Sequence, residues 1–139
     1  MIPGMTHVDP ADFVRANAIP APPSLLPELR LRLATEVTPL WQATEDNLRQ
    51  NNLPPPYWAF AWPGGQALAR LLLDQPDIAR GRRVLDFAAG SGVVGVAAAL
   101  AGAERVVCAE IDRFAAAAIA LNAELNGVAL EVADFDLIG

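Results

Sequence analysis

Three acidic positions stand where short apolar runs end. Asp86 follows Val84-Leu85, Glu110 follows Val106-Val107-Cys108-Ala109, and Asp134 or Asp136 follows Val128 to Ala133. Just beyond the first acid lies Gly90-Ser91-Gly92, which leads directly into the apolar run Val93 to Leu100. Glycines remove Cβ atoms, so a turn of this kind lets backbone approach a ligand at a helix N-terminus. Acids at the ends of successive parallel strands converge on one crevice, because ligands of a doubly wound sheet bind outside the carboxyl ends of its strands. The chemistry on offer is recognition of a small charged ligand by backbone donors and carboxylates.

The string from Gly90 to Gly95 also satisfies G-x-G-x-x-G, the pattern of a dinucleotide site. There the turn receives a pyrophosphate, and Asp86, four residues before Gly90, would repel it. Asp86 suits a cation instead. S-adenosylmethionine carries a sulfonium and an ammonium group and no phosphate, and Glu110 suits the ribose hydroxyls of either ligand. Asp86 is thus the residue that discriminates. Its alternative use is to cap the turn; for Glu110 it is a solvated strand end, and the register leaves Asp134 and Asp136 undecided.

These residues need a strand, helix, strand, helix, strand framework, and the local signals supply one. Val84 to Phe87, Arg105 to Glu110 and Val128 to Ala133 read as strands, Gly92 to Leu100 and Arg113 to Asn126 as helices. Asp112 is placed to cap the second helix and Gly127 to end it in a left-handed turn. Such alternation implies right-handed crossovers and a parallel sheet: a Rossmann-like doubly wound α/β fold. Pro63-Gly64-Gly65 opens a preceding helix, Gln66 to Asp74, with Leu68, Leu71 and Leu72 as its apolar stripe.

Upstream, prolines leave room only for short helices, Asp12 to Ala18 and Pro27 to Ala34, the second with mixed helical and alternating spacing. Glu36 to Trp41 reads as extended, since Thr38 precedes a proline, and Thr44 as the cap of a short turn. Asn51 to Pro56 separates two parts: 1–53, helical or irregular, and 54–139, a partial ligand-binding domain. In Tyr57 to Trp62, period-two spacing puts Trp58, Phe60 and Trp62 on one side of an extended segment. They either pack on the sheet edge or wall a flat ligand such as adenine.

Composition narrows the class. A 53% hydrophobic chain of 139 residues can fill one core, and a formal charge of −6 without a Lys/Arg cluster argues against nucleic acid. Val93 to Ala103 is far short of the roughly 20 residues that cross a bilayer, so no membrane partner is expected. The N-terminus lacks the pattern of a leader, and a cytoplasmic protein is expected. The one cysteine, Cys108, reads as a core residue without metal-ligand spacing, and the one histidine, His7, as part of a tail without a catalytic role.

Val84 to Gly92 resembles motif I of the class I, seven-strand S-adenosylmethionine-dependent methyltransferases. More narrowly, Pro27 to Leu33, Pro56 to Leu68 and Leu121 to Asn126 are similar to the electron transfer flavoprotein β-subunit lysine methyltransferases and their bacterial relatives. The resemblance covers roughly residues 25–139. It implies that Asp86 and Gly90 border the methionine part of the cofactor, that Glu110 binds ribose and that Asp134 or Asp136 meets the adenine amino group. It also puts Trp62, Gly64, Ala88 and Gly92 at the pocket, with Ala88 where many members have glycine. The implied partner is a protein substrate, the flavoprotein β subunit among the possibilities. The family's fourth strand and its acidic and aromatic motif lie beyond Gly139, so a fragment without activity of its own is expected, and no catalytic residue is named. Competing readings are a small-molecule or ribosomal-protein N-methyltransferase, an NAD-binding oxidoreductase fragment, and a non-catalytic interaction module.

Overall fold

The computed structural model describes residues 9–136 and 138; His7 lies outside them. Asp9 accepts the Ala11 N–H at 2.9 Å and starts helix α1 (Pro10–Asn17), two residues earlier than the sequence suggests. Strands β1 (Ile19–Ala21) and β2 (Leu31–Leu33) pair antiparallel, which settles the mixed spacing of the second proline-bounded stretch as turn and then strand. Thr38 does adopt extended geometry, yet Pro39 occupies the first turn of a short helix α2 (Pro39–Gln42), so the expected extension ends there. Thr44 caps α3 (Glu45–Gln50), its Oγ1 accepting the Asn47 N–H at 3.1 Å.

The aromatic stretch departs most from expectation. Tyr57–Ala59 is one turn of 3₁₀ helix, closed by the Ala59 N–H donating to the Pro56 carbonyl. Trp58 therefore turns inward and is 1% exposed, whereas Trp62 is 51% exposed, so the alternate aromatics do not share a side. Helix α4 (Pro63–Asp74) corrects the apolar stripe as well: Leu68 and Leu71 are exposed, and the buried face is Gln66 and Ala69 with Leu72 and Leu73 beside them. Small residues let α4 approach the next helix closely.

The sheet follows the expected order. Strands β3 (Arg83–Phe87), β4 (Arg105–Ala109) and β5 (Glu131–Ala133) are parallel and neighbours in sequence order. Arg83 pairs with Arg105 and Phe87 with Ala109; Val107 pairs with Glu131 and Ala109 with Ala133. Helices α5 (Val93–Leu100) and α6 (Arg113–Leu125) make the crossovers. The Asp112 carboxylate accepts the Phe114 N–H at 2.8 Å, and Gly127 is left-handed, as read from sequence. One sheet face, with Val84, Val106 and Cys108, is covered by alanines of α5 and by Ile119 of α6. The other leaves Leu85 and Phe87 of the edge strand exposed.

The first fifty residues share a core with the later ones. Phe13, Val14, Leu40, Leu48 and Trp58 pack with Phe114, Ala118 and Leu121 of α6. Among the described residues no helix is long and apolar enough to cross a membrane.

Candidate functional site

Strand β3 carries Asp86 and Phe87 to its C-terminal end, and the chain then reverses through two left-handed residues, Ala88 (φ 54°) and Gly90 (φ 57°). Gly92, at φ 79°, caps α5; a Cβ there would meet Ile119 at 3.1 Å. At Gly90 nothing would lie within 4 Å of a Cβ, so its missing side chain leaves space open to the crevice.

The loop is tied down by side chains from distant elements. The Gly90 N–H donates to Glu110 Oε2 at 3.1 Å, so the acid after β4 grips the turn after β3. Asp86 Oδ2 accepts the Gly95 N–H at 3.0 Å, in the first turn of α5. The carboxylate that caps α5 thus also lines a cavity. Burial pushes its carboxyl up to about 6 from the ordinary 3.8; the Gly95 bond opposes the shift and the Glu110 charge adds to it. Behind it, burial and then the Asp86 charge push the Cys108 thiol up to about 12, as befits a core cysteine. Among the described residues no cluster of acids, His or Cys could hold a metal.

Two cavities meet at Phe87 and Ala88. The first, about 420 Å³, is bounded by Trp62, Gly65, Asp86, Gly90 and Ser91, with Tyr57 at its rim. The second, about 300 Å³, is bounded by Glu110, Ile111, Phe135 and Asp136. Neither is lined by a Lys or Arg. Of the predicted site residues, Trp62, Asp86, Ala88 and Gly90 border the first cavity, and Ala88, Glu110 and Asp136 the second. Gly64, Gly92 and Asp134 border neither; Gly92 shapes the turn, and Asp134 is exposed after β5. Trp62 lines the cavity that holds Asp86 and not the one that holds Glu110 and Asp136.

Sequence reasoning missed two buried amides. Asn122, fully buried on α6, donates through Nδ2 to the Ser91 carbonyl at 2.8 Å and accepts the Arg32 N–H of β2 at 2.7 Å. Gln66 donates through Nε2 to the Ala61 carbonyl at 2.7 Å and accepts the Leu25 N–H at 2.9 Å. Each joins the N-terminal part to a wall of the first cavity. The signal for Asn122 was Asn122 and Asn126 at i, i+4, a poor choice for a helix interior unless the amides have partners. Asn126 accepts the Arg30 N–H and donates to the Arg30 carbonyl.

Comparison with known proteins fits this geometry. A family model described as ribosomal protein L11 methyltransferase (PrmA) matches residues 66–136, just over half of the chain. The chain belongs to this family. The human electron transfer flavoprotein beta subunit lysine methyltransferase is 48% identical over 103 residues, 74% of this chain and 38% of that protein. Its homolog from Caenorhabditis elegans is 41% identical over 118 residues, 85% of this chain and 47% of that protein. The chain therefore spans less than half the length of these curated relatives. Among solved structures, the Thermus thermophilus 16S rRNA N2 G1207 methyltransferase (RsmC) superposes with a TM-score of 0.57 at 22% identity, over 86% of this chain and 28% of that one. That likeness is one of fold, the Rossmann-like methyltransferase architecture expected from the strand and helix alternation.

Proposed function

We propose that the chain is the cofactor-binding part of an S-adenosylmethionine-dependent protein-lysine N-methyltransferase whose acceptor is the β subunit of electron transfer flavoprotein. The observation that carries the cofactor is Asp86: a carboxylate with no cationic partner, in a cavity without Lys or Arg, beside a left-handed glycine turn. A ligand with a positive charge offsets the desolvation that this acid suffers; a pyrophosphate aggravates it. Trp62, Asp86, Ala88 and Gly90 would hold the methionine end, Glu110 the ribose and Asp136 the base.

The bound cofactor supplies a methyl group activated by its sulfonium charge. The chain's own residues bind and orient: the loop gripped by Glu110 and Asn122 fixes the methionine end, while Trp62 and Leu68 border the cavity on the side where an amine must approach. Transfer to a neutral lysine amine then rests chiefly on in-line positioning and exclusion of water.

The flavoprotein acceptor is supported by the extent of likeness. The Caenorhabditis elegans relative matches more residues than lie between Gln66 and Gly139, so its similarity reaches beyond the family model's match to Tyr57 and Trp62, which line the first cavity. A ribosomal-protein acceptor is the second reading, favoured by the family model.

Thermal denaturation with S-adenosylhomocysteine and with NAD tests the cofactor. At 100 times its Kd the homocysteine ligand is expected to stabilise the fold by about 2.7 kcal/mol, and NAD to leave it unchanged. Stabilisation by NAD alone sinks the proposal, and silence toward both points to an interaction module. Titration with the flavoprotein β subunit and with ribosomal protein L11 separates the two acceptors.

A further inference from the structure

Four aromatic rings, Phe60 half-buried and the other three exposed, form a continuous run that ends in the wall of the first cavity. Trp41, within the single turn of α2, lies 5.9 Å from Phe60; Phe60 lies 5.8 Å from Trp62; Trp62 lies 6.1 Å from Tyr57. All three pairs are tilted, with 48° to 58° between planes. Tyr57 is 62% exposed and Trp41 51%. Tyr57 and Trp62 line the cavity, while Trp41 lies outside it.

Two hydrogen bonds fasten the segment from Tyr57 to Trp62. The Trp62 indole N–H donates to the Tyr57 carbonyl at 2.9 Å, and Gln66 holds the Ala61 carbonyl between Phe60 and Trp62. Folding does not require these rings to be outside, since Trp58 of the same stretch is buried against Phe13. Ordered, exposed aromatics of this kind give contact area at little entropic cost and mark interaction surfaces.

Charge selects the occupant. From Glu36 to Trp62 the acids are Glu36, Glu45 and Asp46, and the one cation, Arg49, is paired with Glu45 and Asp46. The whole chain carries −6. Ring faces attract cations, and the acidic balance of this stretch and of the whole chain disfavours anions. Tyr57 and Trp62 lie at the Asp86 end of the crevice, where the reactive methyl would stand, and not at the Glu110 and Asp136 end.

We propose that the Trp41, Phe60, Trp62 and Tyr57 face docks the methyl acceptor: a cationic, lysine-bearing segment of a protein lies along the rings and delivers its amine to the cavity. This rests on the cofactor reading above and adds the residues that choose the acceptor. Trp41 carries the test because it touches neither cavity.

The chain, saturated with S-adenosylhomocysteine, is titrated calorimetrically with the electron transfer flavoprotein β subunit of the same organism, untreated and with its lysines acetylated. Expected is a Trp41→Ala Kd raised at least fivefold for the untreated subunit, recovery in Trp41→Phe, and an S-adenosylhomocysteine Kd within twofold of the original. Acetylation is expected to weaken binding to the original chain and to remove the difference between it and Trp41→Ala. Unchanged acceptor affinity in Trp41→Ala, or no binding of the β subunit to the loaded chain, overturns the docking face and leaves the cofactor reading standing. Equal losses with both forms of the subunit overturn its cationic character, and a change from dimer to monomer in Trp41→Ala assigns the face to a second copy instead. Failure to bind S-adenosylhomocysteine, by contrast, overturns the cofactor reading.

Discussion

Replacing Asp86 with Asn is expected to make the free protein more stable and a worse binder. The carboxyl is raised from 3.8 to about 6, with burial as the main cause. A folded-state value above the unfolded one means that the native state holds its proton longer. Below pH 3.8 both states are protonated and the site costs nothing; stability is then lost as pH rises toward 6, and above 6 the full penalty applies. Two units at 1.36 kcal/mol each set that penalty at about 3 kcal/mol. Asn removes the charge and keeps an oxygen for the Gly95 N–H, at the expense of an amide that must find its own partner. The expected net gain at pH 7.5 is about 1–2 kcal/mol, a rise in Tm on the order of 5 °C.

The assay is thermal or chemical denaturation of both proteins from pH 4 to 8, with and without S-adenosylhomocysteine. The original chain is expected to lose stability between pH 4 and 6 relative to Asp86→Asn, whose profile lacks that step. Ligand affinity is expected to rise through pH 6 in the original and to stay flat and at least tenfold weaker in Asp86→Asn. If Asp86→Asn is less stable at pH 7.5 but equal at pH 4.5, the carboxylate is a satisfied structural acceptor, and the case for a cationic ligand falls with it.

Three further substitutions probe the turn. Gly95→Ala places a Cβ 2.6 Å from the buried Cys108 sulfur and is expected to cost about 1–3 kcal/mol in denaturant unfolding, despite the better helix propensity of alanine; adding Cys108→Ala is expected to recover part of the loss as a favourable coupling. Ala88→Gly relieves a left-handed alanine at φ 54° and is expected to stabilise by about 0.5–1 kcal/mol, seen as a higher midpoint at unchanged slope. Asn122→Ala leaves the Arg32 N–H and the Ser91 carbonyl without their partner and is expected to cost about 2–4 kcal/mol in the same assay and to weaken S-adenosylhomocysteine binding.

Where local chemistry decides, the sequence was readable. The Asp112 cap, the Gly127 stop and three β-rich runs at crossover spacing needed no knowledge of neighbours, and the structure has them within a residue or three. Where a distant partner decides, it was not. Period-two aromatics predict an extended segment over 57–62, yet burial of Trp58 against Phe13 and the turn after Pro56 give one turn of 3₁₀ helix. Helical spacing nominates Leu68 and Leu71 for the core, yet α4 meets α5 through Gly65, whose Cβ position is only 3.0 Å from Val93, so a small-residue face wins over a leucine face. Asp86 and Glu110 were placed correctly at strand ends because the apolar runs before them locate those ends. Asn122 was not, because its two partners lie 31 and 90 residues away.

The glycine string itself turns out to have three unrelated causes. Gly90 is left-handed beside open space, Gly92 is left-handed against Ile119, and Gly95 makes room for Cys108. None of the three requires a phosphate, although together they spell a dinucleotide pattern. The donors a pyrophosphate would seek are also committed: the Val93 N–H to Ser91 Oγ at 3.3 Å, the Gly95 N–H to Asp86 and the Gly90 N–H to Glu110. A diphosphate would have to displace two carboxylates and then lie between them, without a Lys or Arg in either cavity to offset the repulsion. A ligand bearing an ammonium group and ribose hydroxyls takes the same two carboxylates as they stand. On the proposed reading, the acids that hold the turn closed are also the ones that select what enters it.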